Sequence, residues 1–255
     1  EQGVEIAGLR VTDRQHTTLA FVSLDAQGER HFSFCRNPGA DTQLSPADLD
    51  DALLERSTFL HVGSLSLTDE PAKSATTEAI ARAKKAGGCI SYDPNYRAAL
   101  WGGRADAIPL MKSLLSQADM VKVADEELSL LFGADVSAAD GARQILDQGP
   151  RLVLVTLGAK GVYYACRTAT LTADGTLDVP DVPVADTTGA GDSFTGGLLY
   201  RLTRRADPFS FTKAELEGDI AFANAVASLC VMKRGAIPAL PTLPAVQQFM
   251  ADHNM

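Results

Sequence analysis

Asp186-Thr187-Thr188-Gly189-Ala190-Gly191-Asp192-Ser193-Phe194-Thr195-Gly196-Gly197 joins two glycines, an aspartate and the start of an apolar run of helical character. A helix start carries N–H donors with no partner inside the helix, together with the positive end of the macrodipole. Gly189 and Gly191 can adopt positive φ and let the backbone come close to an anion. A carboxylate fixed beside such donors, here Asp192, can take the proton from a hydroxyl that then attacks phosphorus. The same residues also read as a purely structural unit. In that reading an Asp caps the helix after a glycine turn, and Gly196 and Gly197 serve close helix packing. Local physics leaves both readings open.

Outward from this segment the chain alternates strand and helix signals. Residues 17–24 and 29–35 read as strands around the turn Asp25-Ala26-Gln27-Gly28, a hairpin signal. Ser45-Pro46-Ala47-Asp48 has the form of a capping box with Pro at the first helical position. Residues 59–65 form a short apolar run, and residues 70–85 read as a helix ending at Gly87-Gly88. Strand candidates follow at 89–92, 120–123, 152–155, 161–166 and 177–184, with helices at 105–117, 126–132, 138–148, 190–202, 213–233 and 244–251. Such alternation predicts a parallel sheet with helices on both faces, and binding sites at the carboxyl ends of the strands.

The net charge of -9 argues against non-specific nucleic-acid binding and against docking on an anionic membrane. Cys35, Cys89, Cys166 and Cys230 form no CxxC pair, so buried free thiols in a reducing cytoplasm are expected. The four histidines are too scattered for a zinc site, and His61 reads as a satisfied buried residue.

Several strand-end segments carry chemistry. Thr156-Leu157-Gly158-Ala159-Lys160-Gly161 follows the 152–155 strand and reads either as a phosphate-contacting turn or as a plain glycine turn. No G-x-x-x-x-G-K-[ST] phosphate loop occurs. Asp93, Asn95 and Arg97 follow the 89–92 strand; Arg97 can clamp a phosphate through two N–H groups, or the segment is an Asx turn with a solvated arginine. Asp125, Glu126 and Glu127 can hold magnesium, directly or through water, or simply favour the positive end of a helix. Ser193 misses the G-x-S-x-G nucleophile elbow by one residue, since Thr195 stands at the last position.

These segments, in this order, resemble the PfkB-type, ribokinase-like carbohydrate kinases, and among them the bacterial fructokinases. The likeness rests on residues 186–197 together with Arg36-Asn37-Pro38-Gly39-Ala40-Asp41, Ser64-Leu65-Ser66-Leu67-Thr68-Asp69, Asp93-Pro94-Asn95-Tyr96-Arg97, the 156–161 turn, Phe222-Ala223-Asn224-Ala225 and Lys233-Arg234-Gly235-Ala236-Ile237-Pro238. It covers nearly the whole chain. The resemblance implies a three-layer α/β/α fold with a mostly parallel central sheet and a small β lid. It implies one kinase domain over residues 1–255, with residues 17–37 as part of the lid, and an ATP-dependent sugar kinase acting on D-fructose. Asp192 then corresponds to the general base, and Gly189, Ala190 and Gly191 to the anion hole. Thr156, Gly158 and Gly161 correspond to the nucleotide-phosphate loop, Asn224 to a residue beside the adenine, and Arg97 to an arginine between substrate and phosphates. Glu127 corresponds to the magnesium-organising glutamate of an N-x-x-E motif. Asp186 and Thr188, with the backbone near Cys230, Lys233 and Gly235, correspond to a loop for potassium. In many relatives the lid also builds a homodimer.

Two departures stand out. Ala124 occupies the Asn position of N-x-x-E, so a weaker hold on magnesium or nucleotide is expected. The strand with a sugar-binding Asp and the Gly-Gly segment that open the family pattern are missing, and the 255 residues are expected to be a fragment of a longer kinase, or to take the missing strands from elsewhere. The same segments also fit kinases of another acceptor, such as an aminoimidazole riboside, another nucleoside or 2-keto-3-deoxygluconate. They fit equally a truncated, non-catalytic nucleotide-binding relative.

Overall fold

The computed structural model describes residues 3–24, 30–36 and 38–255, which form two compact units, 1–119 and 120–255. The expected turn at Asp25–Gly28, the first residue of the 29–35 strand and Asn37 lie outside the described residues.

In the first unit, β1 (Leu19–Leu24) pairs antiparallel with β2 (Arg30–Cys35), Leu19 opposite Cys35. Beyond β2, Arg36 donates to Asp41 Oδ2 at 2.7 Å, to Thr68 Oγ1 at 2.9 Å and to the Leu65 carbonyl at 2.9 Å, which ties the strand end to the 64–68 turn. The 45–48 segment does form a capping box, but around a single 3₁₀ turn; the first α-helix, α1 (Asp51–Arg56), starts later under its own cap, Asp50. Next come β3 (Phe59–Gly63), α2 (Ala72–Lys85) and β4 (Cys89–Asp93), with β3 and β4 parallel. α2 lays its alanine-rich face, Ala72, Ala75, Ala79 and Ala83, into the core of the unit. Two short helices, α3 (Ala98–Trp101) and α4 (Ala107–Leu115), complete it. Trp101 is fully buried with its indole N–H on Ser64 Oγ, and Tyr92 donates to the Met111 carbonyl at 3.1 Å. His61 is not the buried residue expected: β3 turns Val62 inward and His61 outward, where its Nδ1 lies 2.9 Å from Ser91 Oγ.

The second unit opens with β5 (Met120–Ala124), α5 (Asp125–Phe132), α6 (Ala138–Leu146) and β6 (Leu152–Thr156). β5 and β6 run parallel, Met120 opposite Leu152 and Ala124 opposite Thr156. β7 (Val162–Arg167) then lies antiparallel to β6, and β8 (Thr172–Leu177) antiparallel to β7. The strand expected at 177–184 therefore ends where it was to begin. Pro180 and Pro183 supply no N–H to a ladder, whereas 172–177 pairs along its whole length with β7. Gly175 faces Tyr164 in that pairing, and a Cβ there would stand 3.0 Å from the ring.

Three helices finish the unit: α7 (Ala190–Leu202), α8 (Lys213–Val231) and α9 (Leu243–Asp252). α7 packs along α8. At Gly197 a Cβ would meet Val226 Cγ2 at 3.1 Å and Ala223 Cα at 3.2 Å, so this glycine sets the closeness of the two helices. Gly196, expected to share that task, has nothing within 4 Å of its Cβ position. Arg201 of α7 and Arg205 just beyond its end hold the fully buried Asp219 of α8 at 2.8 and 2.5 Å. Phe222, Ala225, Val246 and Phe249 join α8 to α9. Of the four free cysteines only Cys166 and Cys230 are buried; Cys89 is half-buried and Cys35 exposed. No described helix is long and apolar enough to cross a membrane.

Candidate active site

The start of α7 is built by its sequence. Gly189 sits at the N-cap with φ 81 and ψ 3, a left-handed conformation that glycine takes without a Cβ penalty. The chain turns there, and Asp192 falls in the first helical turn, exposed, with no hydrogen bond or ion pair among the described residues. Of the first amides, Ala190 N–H donates to the Thr187 carbonyl at 3.2 Å and Ser193 N–H to the Gly189 carbonyl at 2.8 Å. The N–H groups of Gly189, Gly191 and Asp192 have no hydrogen-bond partner among the described residues. The donors open to an anion are thus flanked by Ala190 rather than including it. Ser193 is buried and its hydroxyl donates back to the Ala190 carbonyl at 3.0 Å, a helix contact and not an exposed nucleophile.

The loop before α7 is pinned by one carboxylate. Asp186 Oδ1 accepts Thr188 N–H at 2.9 Å, and Oδ2 accepts Gly235 N–H, also at 2.9 Å. Ala185 and Asp186 both donate to the Val231 carbonyl, and Cys230 Sγ lies 3.9 Å from the Thr188 carbonyl. Asp186, Thr188, Cys230 and Gly235 therefore come together, while Lys233 is exposed at their edge. Both oxygens of the one carboxylate in this set are spent on backbone N–H groups.

The carboxyl ends of β5 and β6 lie side by side. Thr156 is the partner of Ala124 in the ladder, and its hydroxyl donates to the Val123 carbonyl at 3.4 Å. After it, Gly158 and Gly161 take φ of 58 and 88, and a Cβ on Gly161 would stand 2.0 Å from the Leu177 carbonyl oxygen. Only glycine fits there. Lys122 of β5 reaches the first turn of α7: its Nζ lies 2.9 Å from where a Cβ on Gly191 would be. This lysine escaped the reading of the sequence. The signal was there, a single charge inside the otherwise apolar strand Met120–Ala124, and it is 6% exposed.

Glu127 lies at the third position of α5, where its Oε2 accepts the Ala124 N–H at 2.9 Å. Ala124 has no oxygen to return the bond, so the capping box is half made. Beside it, the Glu126 carboxyl is held above the usual carboxylate range, first by its hydrogen bond with Asp125, then by burial and the neighbouring charges. Asn224 is buried in α8 and donates to the Asp178 carbonyl at 3.4 Å, so its amide serves the protein's own backbone. Arg97, in the first unit, is half-buried and donates to the Tyr96 carbonyl at 2.9 Å. Beside α7 opens a cleft of about 340 Å³ lined by Gly189, Asp192, Gly196, Val226, Ile237 and Leu240. Asp192 is the one charged residue of this lining, and Val226, Ile237 and Leu240 make it largely apolar.

This geometry has counterparts. The chain is 42% identical over 251 residues to fructokinase-1 of Oryza sativa subsp. japonica, covering 98% of this chain and 76% of that one. A double mutant of the Vibrio cholerae O395 fructokinase, solved with fructose, ADP and potassium bound, superposes with a TM-score of 0.87 at 35% identity, over 96% of this chain and 76% of that one. The aminoimidazole riboside kinase of Salmonella enterica, solved with its riboside and an ATP analogue, gives a TM-score of 0.82 at 32% identity, over 97% of this chain and 78% of that one. The fold is accordingly the ribokinase-like three-layer α/β type with a mostly parallel sheet. The model of the pfkB family carbohydrate kinases matches residues 1–243. The chain belongs to the pfkB family of carbohydrate kinases.

Proposed function

We propose that the chain phosphorylates a sugar hydroxyl at the expense of ATP, with D-fructose as the acceptor. One observation carries the reading: Asp192, an exposed carboxylate with no partner among the described residues, lies beside the open amides of Gly191 and its own backbone and lines a cleft. The fructokinase and riboside kinase relatives support the choice of nucleotide and of a small polyol acceptor. Asp192 accepts the hydroxyl proton as the oxygen attacks the terminal phosphorus. The Gly189, Gly191 and Asp192 amides take up the charge that grows on the phosphoryl oxygens. Of the proposed anion hole, Ala190 contributes its backbone geometry more than its N–H.

Thr156, Gly158 and Gly161 are proposed to contact the nucleotide phosphates, and the Val226, Ile237 and Leu240 wall to take the base, with Asn224 as its buried support. Arg97 is kept as a phosphate ligand on the chemistry of its forked guanidinium. Glu127 is proposed to organise magnesium through water with the carboxylate oxygen that does not cap α5. The Asp186–Gly235 loop is proposed to hold potassium, which would lend its charge to the anion site; a potassium-bound relative supports this. Residues 1–255 are read as one kinase domain with residues 17–37 as part of its lid. Exposed Leu19, Phe21 and Val22 on β1 are proposed as the seam of a homodimer. Four free cysteines go with a cytoplasmic setting.

The test is sugar-dependent ADP release from ATP over a panel of D-fructose, aminoimidazole riboside and 2-keto-3-deoxygluconate, with and without potassium. Turnover on D-fructose is expected, and Asp192→Asn should lower kcat by about 100-fold or more while ATP still binds. Near-normal turnover in Asp192→Asn would refute the base. Faster turnover on a nucleoside would move the acceptor, and none on any acceptor would favour a binding protein.

A further inference from the structure

Thr18 and Arg36 stand just outside β1 and β2, next to the closing pair Leu19–Cys35. One carboxylate holds both. Asp41 Oδ1 accepts the Thr18 hydroxyl, and Oδ2 accepts the Arg36 Nε–H and a terminal N–H of the same guanidinium at 2.7 Å each. The backbone adds a further tie, Ala40 N–H to the His16 carbonyl at 2.8 Å. Gly39 has an ordinary extended backbone, φ -91 and ψ 158, which any residue can take. Yet a Cβ there would stand 1.9 Å from Thr18 Oγ1 and 2.6 Å from Asp41 Oδ1. Position 39 is glycine for room, and the Thr18 hydroxyl fills that room.

Arg36 carries the tie inward. Its side chain is 5% exposed, and it also donates to Thr68 Oγ1 and to the Leu65 carbonyl. That turn is itself fixed. Ser66 Oγ accepts the Thr76 hydroxyl of α2 at 2.8 Å, Ser64 Oγ accepts the Trp101 indole N–H, and the Thr68 carbonyl accepts Arg104. A two-stranded ribbon is marginal on its own, so the direction in which β1 and β2 leave the body of the unit is set at this root. Without Asp41 the buried guanidinium would lose its counter-charge, which is strongly unfavourable.

We propose that Asp41 is a positioning residue for the acceptor: by holding Thr18 and Arg36 together it keeps the β1–β2 ribbon in the orientation that receives the sugar. The proposal rests on the kinase reading above, in which this ribbon belongs to the lid. Asp41 touches no reacting atom and takes no proton. The clasp is closed before any ligand arrives, so the ordering of the root does not have to be met from the binding energy of the sugar. Opening it lowers the fraction of molecules whose ribbon is in place, and the apparent affinity for the acceptor falls with that fraction.

The experiment compares Asp41→Asn, Thr18→Val, Thr18→Ser and Gly39→Ala with the parent protein. It measures steady-state kinetics on the acceptor that the parent turns over fastest, and amide hydrogen exchange. Asp41→Asn and Thr18→Val are expected to raise KM for the acceptor about tenfold, the result if the ribbon is in place about a tenth of the time. Because the clasp acts on binding and not on the chemical step, kcat and KM for ATP should stay within about threefold. The Ala40 amide should exchange at least about tenfold faster while the amides of α2 are unchanged. Thr18→Ser keeps the hydroxyl and should behave as the parent. Gly39→Ala places a methyl where that hydroxyl sits and should follow Thr18→Val. An unchanged KM for the acceptor in Asp41→Asn, a loss confined to kcat, or a Thr18→Ser protein as impaired as Thr18→Val would overturn the proposal and leave the kinase reading intact. If Asp41→Asn fails to fold, Thr18→Val decides by the same readouts. The kinase reading fails separately, through a parent protein that turns over no acceptor, and the proposal falls with it.

Discussion

Gly196 and Gly197 are neighbours on α7, yet alanine at the two positions should push stability in opposite directions. Within a helix, alanine is favoured over glycine by about 0.8–1.0 kcal/mol. At Gly196 nothing lies within 4 Å of the new Cβ, so the full gain is realised. At Gly197 the Cβ meets Val226 Cγ2 at 3.1 Å, Ala223 Cα at 3.2 Å and Val226 Cβ at 3.3 Å. Those neighbours are a stiff β-branched side chain and a piece of backbone, and neither yields cheaply. Overpacking of this kind costs about 1–3 kcal/mol, so the net effect of Gly197→Ala is a loss of about 0–2 kcal/mol after the propensity gain is subtracted. The two variants should differ by about 1–3 kcal/mol, which for a chain of this size is roughly 2–12 °C in Tm. Urea and thermal unfolding followed by circular dichroism measure it. Gly196 also lines the cleft, so Gly196→Ala should weaken ATP binding while it stabilises the fold. A Gly196→Ala protein less stable than the parent, or a Gly197→Ala protein as stable as Gly196→Ala, would refute the account of helix packing.

Two further outcomes follow from local chemistry. Ala124→Ser supplies the oxygen that the half-made capping box lacks and should raise stability by about 1 kcal/mol, read as a higher urea midpoint. An unchanged midpoint would show that the Glu127 contact alone saturates the cap. The Tyr163 hydroxyl is pushed up to about 12, by burial first and then by its hydrogen bond to Asp174; the Tyr164 hydroxyl moves up for the same reason, burial and then Glu217. A raised folded-state pKa means stability that is complete below the ordinary tyrosine value near 10 and is lost as the pH rises through 12. Stability should therefore fall across that interval, and Tyr163→Phe should flatten the fall in unfolding curves taken from pH 9 to 12; an equally steep fall in the variant would point to other groups.

Much of this was legible because glycine and proline punctuate the chain so strongly. α7 runs over residues 190–202 as read, since a left-handed Gly189 fixes its start. The parallel β5–β6 pair was legible as continuous apolar runs. Periodicity misled where hydrogen bonding decides. Residues 177–184 look apolar enough for a strand, but two prolines remove ladder donors, and the pairing goes to the polar-looking 172–177 instead. The burial of His61 could not be read, because a short apolar run does not say which of its residues face the core. At the candidate site the glycine turn and the helix start that carries Asp192 were legible from local spacing, while whether they serve an anion or only cap the helix was not. Lys122 was not, because its neighbour Gly191 lies far along the chain and only the fold brings them together. Asn224 shows the converse: its segment was recognised, while its amide is spent on the Asp178 carbonyl.

The open amides at the start of α7 also make the protein its own reporter. A backbone N–H with no acceptor exchanges its hydrogen with solvent almost as fast as in an unfolded chain, while the interior of α7, locked against α8, exchanges only on wider opening. The protons on Gly191 and Asp192 should thus be lost within moments of dilution into deuterated water and be retained once an anion sits on them. Their exchange rates count site occupancy directly, without turnover and without a label, and they separate ligands that reach the head of the helix from ligands that stop short of it.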